Sequence, residues 1–164
     1  MFAQKDQNDE VELRPVTAAD QAFLLALYES TRTTELELTG WGPEQRQAFI
    51  QMQFNAQARG HQTSYPNADG KIVRLNGEDI GRILVNHGTE ELVLVDIALL
   101  PGYRNRGIGS HVVSALLNEA ATAAKCIRLH VLKSSPASRL YERLGFCRVR
   151  EDGMYCEMLW NPKA

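Results

Sequence analysis

The sequence predicts an α/β (α+β) domain, a mixed and mostly antiparallel twisted sheet of six to seven strands flanked by about four helices. Three observations lead there. Asn76-Gly77 stands between two segments of alternating polarity, and Asp152-Gly153 joins two further short ones, as in β-hairpins. Leu92-Val-Leu-Val-Asp-Ile-Ala-Leu-Leu100 is almost continuously apolar, which suits a central strand covered on both faces. After it the period changes: Ile108, Val112, Val113, Leu116, Leu117 and Ala120 recur every three or four residues, the stripe of an amphipathic helix reaching about Ala124.

The other elements follow in chain order. Val11 to Pro15 reads as a short strand, and Thr17-Ala-Ala-Asp20 is a capping-type start for a helix to about Ser30, striped by Phe23, Leu24, Leu27 and Tyr28. Glu35 to Pro43 breaks the pattern. Pro43 suits the first turn of a second helix to about Arg59, with Phe49, Met52 and Ala56 on one side, so the two helices form a hairpin. Lys71 to Leu75 and Asp79 to Asn86 are the strands around Asn76-Gly77, and a turn at His87-Gly88 leads into the apolar run. Cys126 to Leu132 is the next strand. Pro136 to Leu144 is a short helix closed by Gly145, followed by strands at Phe146 to Glu151 and Met154 to Trp160.

Length and composition bound the function. A chain of 164 residues fits one domain with a real core, expected over 11–164, with 1–10 as a flexible polar tail. A formal charge of -2, from interspersed acids and bases, leaves no basic face to neutralise nucleic-acid phosphates. Cys126, Cys147 and Cys156 lack disulfide or zinc spacing and read as buried free thiols, and His111 and His130 have no ligand partners, so no metal is predicted. No apolar run is long enough for a membrane span or a signal peptide, which makes the cytoplasm the expected location.

The segment Leu99-Leu-Pro-Gly-Tyr-Arg-Asn-Arg-Gly-Ile-Gly109 joins a buried strand to a helix through glycines and two arginines. Unpaired N–H groups in a helix's first turn, aided by the helix dipole, bind phosphate oxygens. Two nucleotide motifs fail here. Ile108-Gly109 stands where a P-loop needs Lys-Ser/Thr, and Val112 stands where a dinucleotide fingerprint needs its third glycine. Arg104, Gly107 and Gly109 do supply R/Q-x-x-G-x-G/A, and Ala137, Leu140, Tyr141, Gly145 and Phe146 supply A-x-x-L-Y-x-x-x-G-F one helix and one strand later. With both motifs in this order, the chain resembles the GNAT acetyltransferases from about Val11 to Trp160, and most of all small, largely bacterial members with a Val-Asp-Ile-Ala-Leu-Leu-Pro strand.

That resemblance implies a sheet splayed at its central strands, with acetyl-CoA as cosubstrate in the V-shaped gap beside the Cys126 to Leu132 strand. The cofactor residues it implies are Ile97, Ala98 and Leu99; Arg104, Asn105, Arg106, Gly107, Ile108, Gly109 and Ser110 around the pyrophosphate; and Ser134, Ser135, Ala137 and Tyr141. Ser135 replaces the asparagine common before the family's Pro-Ala pair; its hydroxyl also donates and accepts. The Leu99 amide is placed to meet the thioester oxygen as it gains negative charge, and Tyr141 to protonate the departing thiolate. Direct transfer needs a neutral amine, for which Glu91 and Asp96 are the candidate bases. Trp41, Gln45, Phe49, Met52 and Tyr65 lie in or beside the helical hairpin that borders the acceptor site in the family. The expected activity is N-acetylation of a primary amine on a small molecule or peptide; members of the family are often homodimers, and the sequence shows no interface patch that decides the oligomeric state. A non-catalytic acyl-CoA sensor and a regulatory domain for another nucleotide are the competing readings.

Overall fold

The computed structural model describes residues 9–162. One sheet holds seven strands: β1 (Val11–Pro15), β2 (Asp69–Leu75), β3 (Glu78–His87), β4 (Glu91–Leu99), β5 (Cys126–Leu132), β6 (Cys147–Asp152) and β7 (Tyr155–Trp160). Their spatial order is β1-β2-β3-β4-β5-β7-β6, and every neighbouring pair is antiparallel except β4 and β5. A parallel pair needs a crossover, and helix α4 (Ile108–Thr122) is that crossover.

Helices cover both faces. The stripe read from sequence on α4 buries Ile108, Val112, Val113, Leu116 and Ala120 against Leu92, Leu94, Ile127 and Leu129, in the main core. On the opposite face Leu24 of α1 (Gln21–Ser30) and Phe54 of α3 (Pro43–Ser64) pack on Ile72 in a smaller core. Between α1 and α3 lies α2 (Thr33–Glu37), in the stretch where the apolar pattern breaks. Five residues with one buried side chain, Leu36, make too short a stripe to show a period.

Two readings of side-chain placement need correction. On α3 the buried residues are Ile50 and Phe54, whereas Met52 is 57% exposed and Ala56 is also exposed. The inward line continues four and three residues at a time through half-buried Gln57 and His61, whose polarity hides the stripe from a hydrophobic pattern. Of the three free thiols only Cys156 is buried; Cys126 is half-buried and Cys147 exposed on the edge strand β6. The last turn also sits one residue further on, at Gly153 and Met154, because Asp152 pairs with Tyr155. Of the expected N-terminal tail, residues 1–8 lie outside the described residues, while Glu10 N–H donates to Asn76 Oδ1 at 2.9 Å.

Two features of the sheet set the course of β4. Opposite β3 the register shifts so that Leu84 faces Asp96 and Val85 faces Leu94, which leaves Val95 as the extra residue of a β-bulge in β4. Pairing of β4 with β5 runs from Glu91↔Cys126 to Leu94↔Leu129 and stops at that bulge. Gly81 faces Leu99 on the far side of the bulge, and a Cβ there would lie 2.4 Å from the Ala98 carbonyl oxygen.

Gly81→Ala is therefore expected to push β4 outward and to cost about 2 kcal/mol, a fall in Tm of roughly 4–8 °C by calorimetry. An unchanged Tm would mean the two strands are not held this close. Asp20, buried at the start of α1, accepts from both Arg14 nitrogens at 2.9 and 2.8 Å and from Thr17 N–H at 2.8 Å. The Arg14 guanidinium, then the Thr17 amide, hold its carboxyl well below the ordinary 3.8. A depressed folded pKa stabilises above the unfolded value and is lost as pH falls below it. Asp20→Asn should thus lower Tm at pH 7, and the deficit should shrink on acidification below about pH 4; a pH-independent deficit would show that the charge plays no part.

Candidate active site

Beyond Leu94↔Leu129 the two central strands part, and a cleft of about 440 Å³ opens between Val95 to Ala98 on β4 and Leu129 to Leu132 on β5. The backbone at its edge can be assigned from the ladder. Antiparallel pairs alternate between bonded and non-bonded, and Leu100 N–H donates to Ile80 O at 2.8 Å. Arg82↔Ala98 and Leu84↔Asp96 are then the bonded pairs, so the amides of Ile97 and Leu99 turn away from β3 and toward the gap. With β5 gone, those N–H groups have no strand partner. The Leu99 carbonyl is occupied by Arg104 Nε at 2.9 Å.

The turn after β4 runs through a single 3-10 turn, Pro101–Tyr103, into Gly107 at φ 80, the residue before α4. Left-handed backbone there favours glycine, and the buried Ile108 side chain anchors the helix start. The Gly107 carbonyl accepts from His111 N–H at 3.0 Å, which leaves the amides of Ile108, Gly109 and Ser110 without intrahelical partners. Arg104, Asn105, Arg106 and Gly107 are exposed. The Arg106 guanidinium lies 5.4 Å from the Tyr103 ring centroid, and among the described residues neither Arg104 nor Arg106 has a carboxylate within 4 Å. This turn and Ser134 are outside the cleft lining, at the end of β4 and after β5 respectively.

Helix α5 (Ala137–Arg143) faces the cleft with Ala137 and Tyr141, and Ser135 lines it just before the helix. Ser135 Oγ accepts from Ala137 N–H at 3.2 Å, so its own proton stays available. The Tyr141 ring packs edge-on against Phe146 at 5.6 Å, and its hydroxyl has no hydrogen-bond partner among the described residues. Burial, then the nearby Asp96 charge, push the phenol up to about 12, so it is protonated at neutral pH.

The two candidate bases are placed differently. Asp96 lines the cleft and accepts from Arg82 of β3. Glu91 sits at the closed end of the β4–β5 ladder, bonded to Arg128 at 3.1 Å, and is outside the lining. Trp41, Gln45, Phe49, Met52 and Tyr65 do not line the cleft either; Trp41 instead packs edge-on against Phe49 at 5.0 Å. The helical wall is made by Leu24, Leu27, Tyr28, Arg32, Glu35, Phe54 and Gln57, of which the sequence pattern marks only the apolar members of α1. Nearby, burial holds the half-buried His61 imidazole below its ordinary value, against the pull of Asp96. A polar residue recurring inside an otherwise apolar helix stripe is the signal that points to this wall. Among the described residues no group of three His, Cys, Asp or Glu side chains could hold a metal ion, and no helix is long and apolar enough to cross a membrane.

Comparison with known proteins agrees with this geometry. Residues 24–146 match the model of the Acetyltransferase (GNAT) family. The PaiA N-acetyltransferase of Thermoplasma acidophilum, solved in complex with coenzyme A, superposes with a TM-score of 0.70 at 18% identity, over 93% of this chain and 99% of that one. A GNAT family acetyltransferase of Elizabethkingia anophelis with acetyl-CoA bound gives 0.57 at 16% identity, over 92% and 97%. A Corynebacterium glutamicum protein described as histone acetyltransferase HPA2 and related acetyltransferase gives 0.65 at 20% identity, over 93% and 96%. A search of curated protein sequences found no match. A matching family model across most of the chain, on a sheet split between β4 and β5, makes this protein a member of the GNAT acetyltransferase family and an acyltransferase.

Proposed function

We propose that the protein transfers an acetyl group from acetyl-CoA directly to a primary amine of a small molecule or peptide. One observation carries this reading: the Ile97 N–H faces a cleft that Tyr141 also lines, the Leu99 N–H turns the same way just past that lining, and a glycine-headed helix stands at the end of the same strand. The residues present fit acetyl-CoA. The unpaired Ile97 and Leu99 amides suit the pantetheine amides and thioester, Ala98 offers a small wall, and Ser135 has a free hydroxyl proton. Arg104, Asn105 and Arg106, with the amides of Gly107, Ile108, Gly109 and Ser110, offer donors and positive charge to the pyrophosphate; Ser134 and Ala137 border the arm. When bound, acetyl-CoA supplies an activated acetyl group with a thiolate leaving group.

The chain's residues then divide the work. Leu99 N–H stabilises the acyl oxygen as it becomes negative, from a fixed position that needs no reorganisation. Tyr141, held in its neutral form, donates its proton to the departing sulfur. Asp96, fixed by Arg82, takes the amine proton directly or through water. Glu91, tied to Arg128 away from the cleft, has no part in this path.

Calorimetric titration should show micromolar or tighter binding of acetyl-CoA and CoA with little affinity for ATP. A preference for ATP would favour the other-nucleotide reading. Tyr141→Phe should lower kcat about 10- to 100-fold with acetyl-CoA affinity unchanged, because a thiolate leaves well even without full protonation. Tight acetyl-CoA binding without turnover across a broad amine panel would identify a sensor instead.

A further inference from the structure

We infer that the accepted amine carries an anionic oxygen group, a carboxylate or phosphate, and that Arg32 binds it. The inference rests on the transfer reading above and concerns the wall of the cleft opposite α5.

Two arginines face this cleft, and they differ in how far the protein satisfies them. Arg82 is 16% exposed, and its guanidinium is committed to Asp96. Arg32 is 34% exposed and sits with its guanidinium carbon 5.3 Å from the Tyr28 ring centroid, a cation–π contact that holds it at the cleft wall. Its ion pair is one contact of 3.3 Å to Glu35, whose side chain is 67% exposed. A long contact to so exposed a carboxylate is weak. Meanwhile Arg32 Nε is buried with no hydrogen-bond partner. A guanidinium has five donors in a rigid fork matched to carboxylate and phosphate oxygens, and a charged donor left without an acceptor is costly. An anionic oxygen entering the cleft competes with exposed Glu35 for the terminal nitrogens of the fork, while Nε stays enclosed by the protein.

The rest of the cleft orients such a ligand. Asp96, on β4 beside the Ile97 and Leu99 amides, repels an anion and attracts an ammonium. A ligand with both charges therefore lies with its anionic end at Arg32 and its amine toward Asp96. A polyamine, with cations at both ends, meets Arg32 as a like charge.

The test uses CoA-saturated full-length protein and paired probes: lysine against cadaverine, and phosphoethanolamine against ethanolamine. By calorimetry at least one anionic member should bind about tenfold or more tightly than its partner, and which pair responds separates carboxylate from phosphate. Arg32→Gln should abolish that preference while leaving CoA affinity unchanged, and Arg32→Lys should restore part of it. In turnover assays the loss should appear in KM more than in kcat. Equal or tighter binding of cadaverine and ethanolamine, no binding by either anionic probe, or a preference that survives Arg32→Gln overturns the assignment. Acetylation of cadaverine as readily as lysine would keep the transfer reading and remove the Arg32 role. Arg32-dependent binding without acetylation by acetyl-CoA would do the reverse.

Discussion

A single hydrogen-bond ladder that ends early organises this molecule. The β4–β5 pairing closes four residue pairs and stops at Leu94↔Leu129, where Val95 bulges out of register with β3. A bulge bends the strand that carries it, and bending β4 away from β5 is the simplest way to end a parallel ladder inside a sheet. The proposed chemistry depends on that bend. Buried backbone amides normally find partners, so the free N–H groups of Ile97 and Leu99 turn the sheet's own bonding capacity toward a ligand. The end of the same strand feeds the turn into α4, which places the unpaired first-turn amides of that helix in continuity with those of β4.

A split sheet would collapse unless its halves were held separately. The half built on β1 to β4 is clamped by the main core beneath α4 and by the close approach at Gly81, which fixes β4 against β3 beyond the bulge. On the other side β5 keeps its full pairing with β7 from Ile127↔Trp160 to Leu132↔Tyr155. Tyr141 and Phe146 belong to the main core as well, so the tyrosine that lines the gap is also a wedge packed against its floor. The family motif around Tyr141 thus serves packing and site geometry together.

Most of the architecture is legible in the amino-acid pattern because it rests on short-range rules. Asn76-Gly77 takes positive φ at both residues, the α4 stripe buries as read except for half-buried Leu117, and Gly145 closes α5 with φ 100. The turn motif likewise marks where α4 begins, with Gly107 at φ 80 and the first-turn amides of Ile108, Gly109 and Ser110 without intrahelical partners. Tertiary context sets the features that escape the pattern. The Val95 bulge has no glycine or proline to announce it, because the register of β3 against β4 creates it. The inward side of α3 is hidden, since Gln57 and His61 interrupt the apolar period where the helix borders the gap. Asp96 stands out as a charge in an apolar strand, but its partner Arg82 is 14 residues away in sequence, and Arg32 gains its meaning only from Tyr28 and Glu35 beside it.

The proposed transfer makes opposite demands on two protons, and burial meets both. The acid must keep its proton until sulfur departs, while the incoming ammonium must lose one before it attacks. Low dielectric disfavours whichever form is charged, so it raises a phenol and lowers an ammonium or imidazolium. Tyr141, at about 12, and His61, pushed below its ordinary value, register that effect in this neighbourhood. Asp96 works against desolvation for the cation, since its charge favours a bound ammonium, and it also helps to keep Tyr141 neutral. Its bond to Arg82 offsets part of that negative charge. An uncompensated carboxylate would hold the ammonium too firmly for deprotonation, and a neutral residue would give the amine no anchor. The proposed transfer therefore requires the Arg82–Asp96 pair to set a field between these limits, strong enough to attract the cation and weak enough for burial to release its proton.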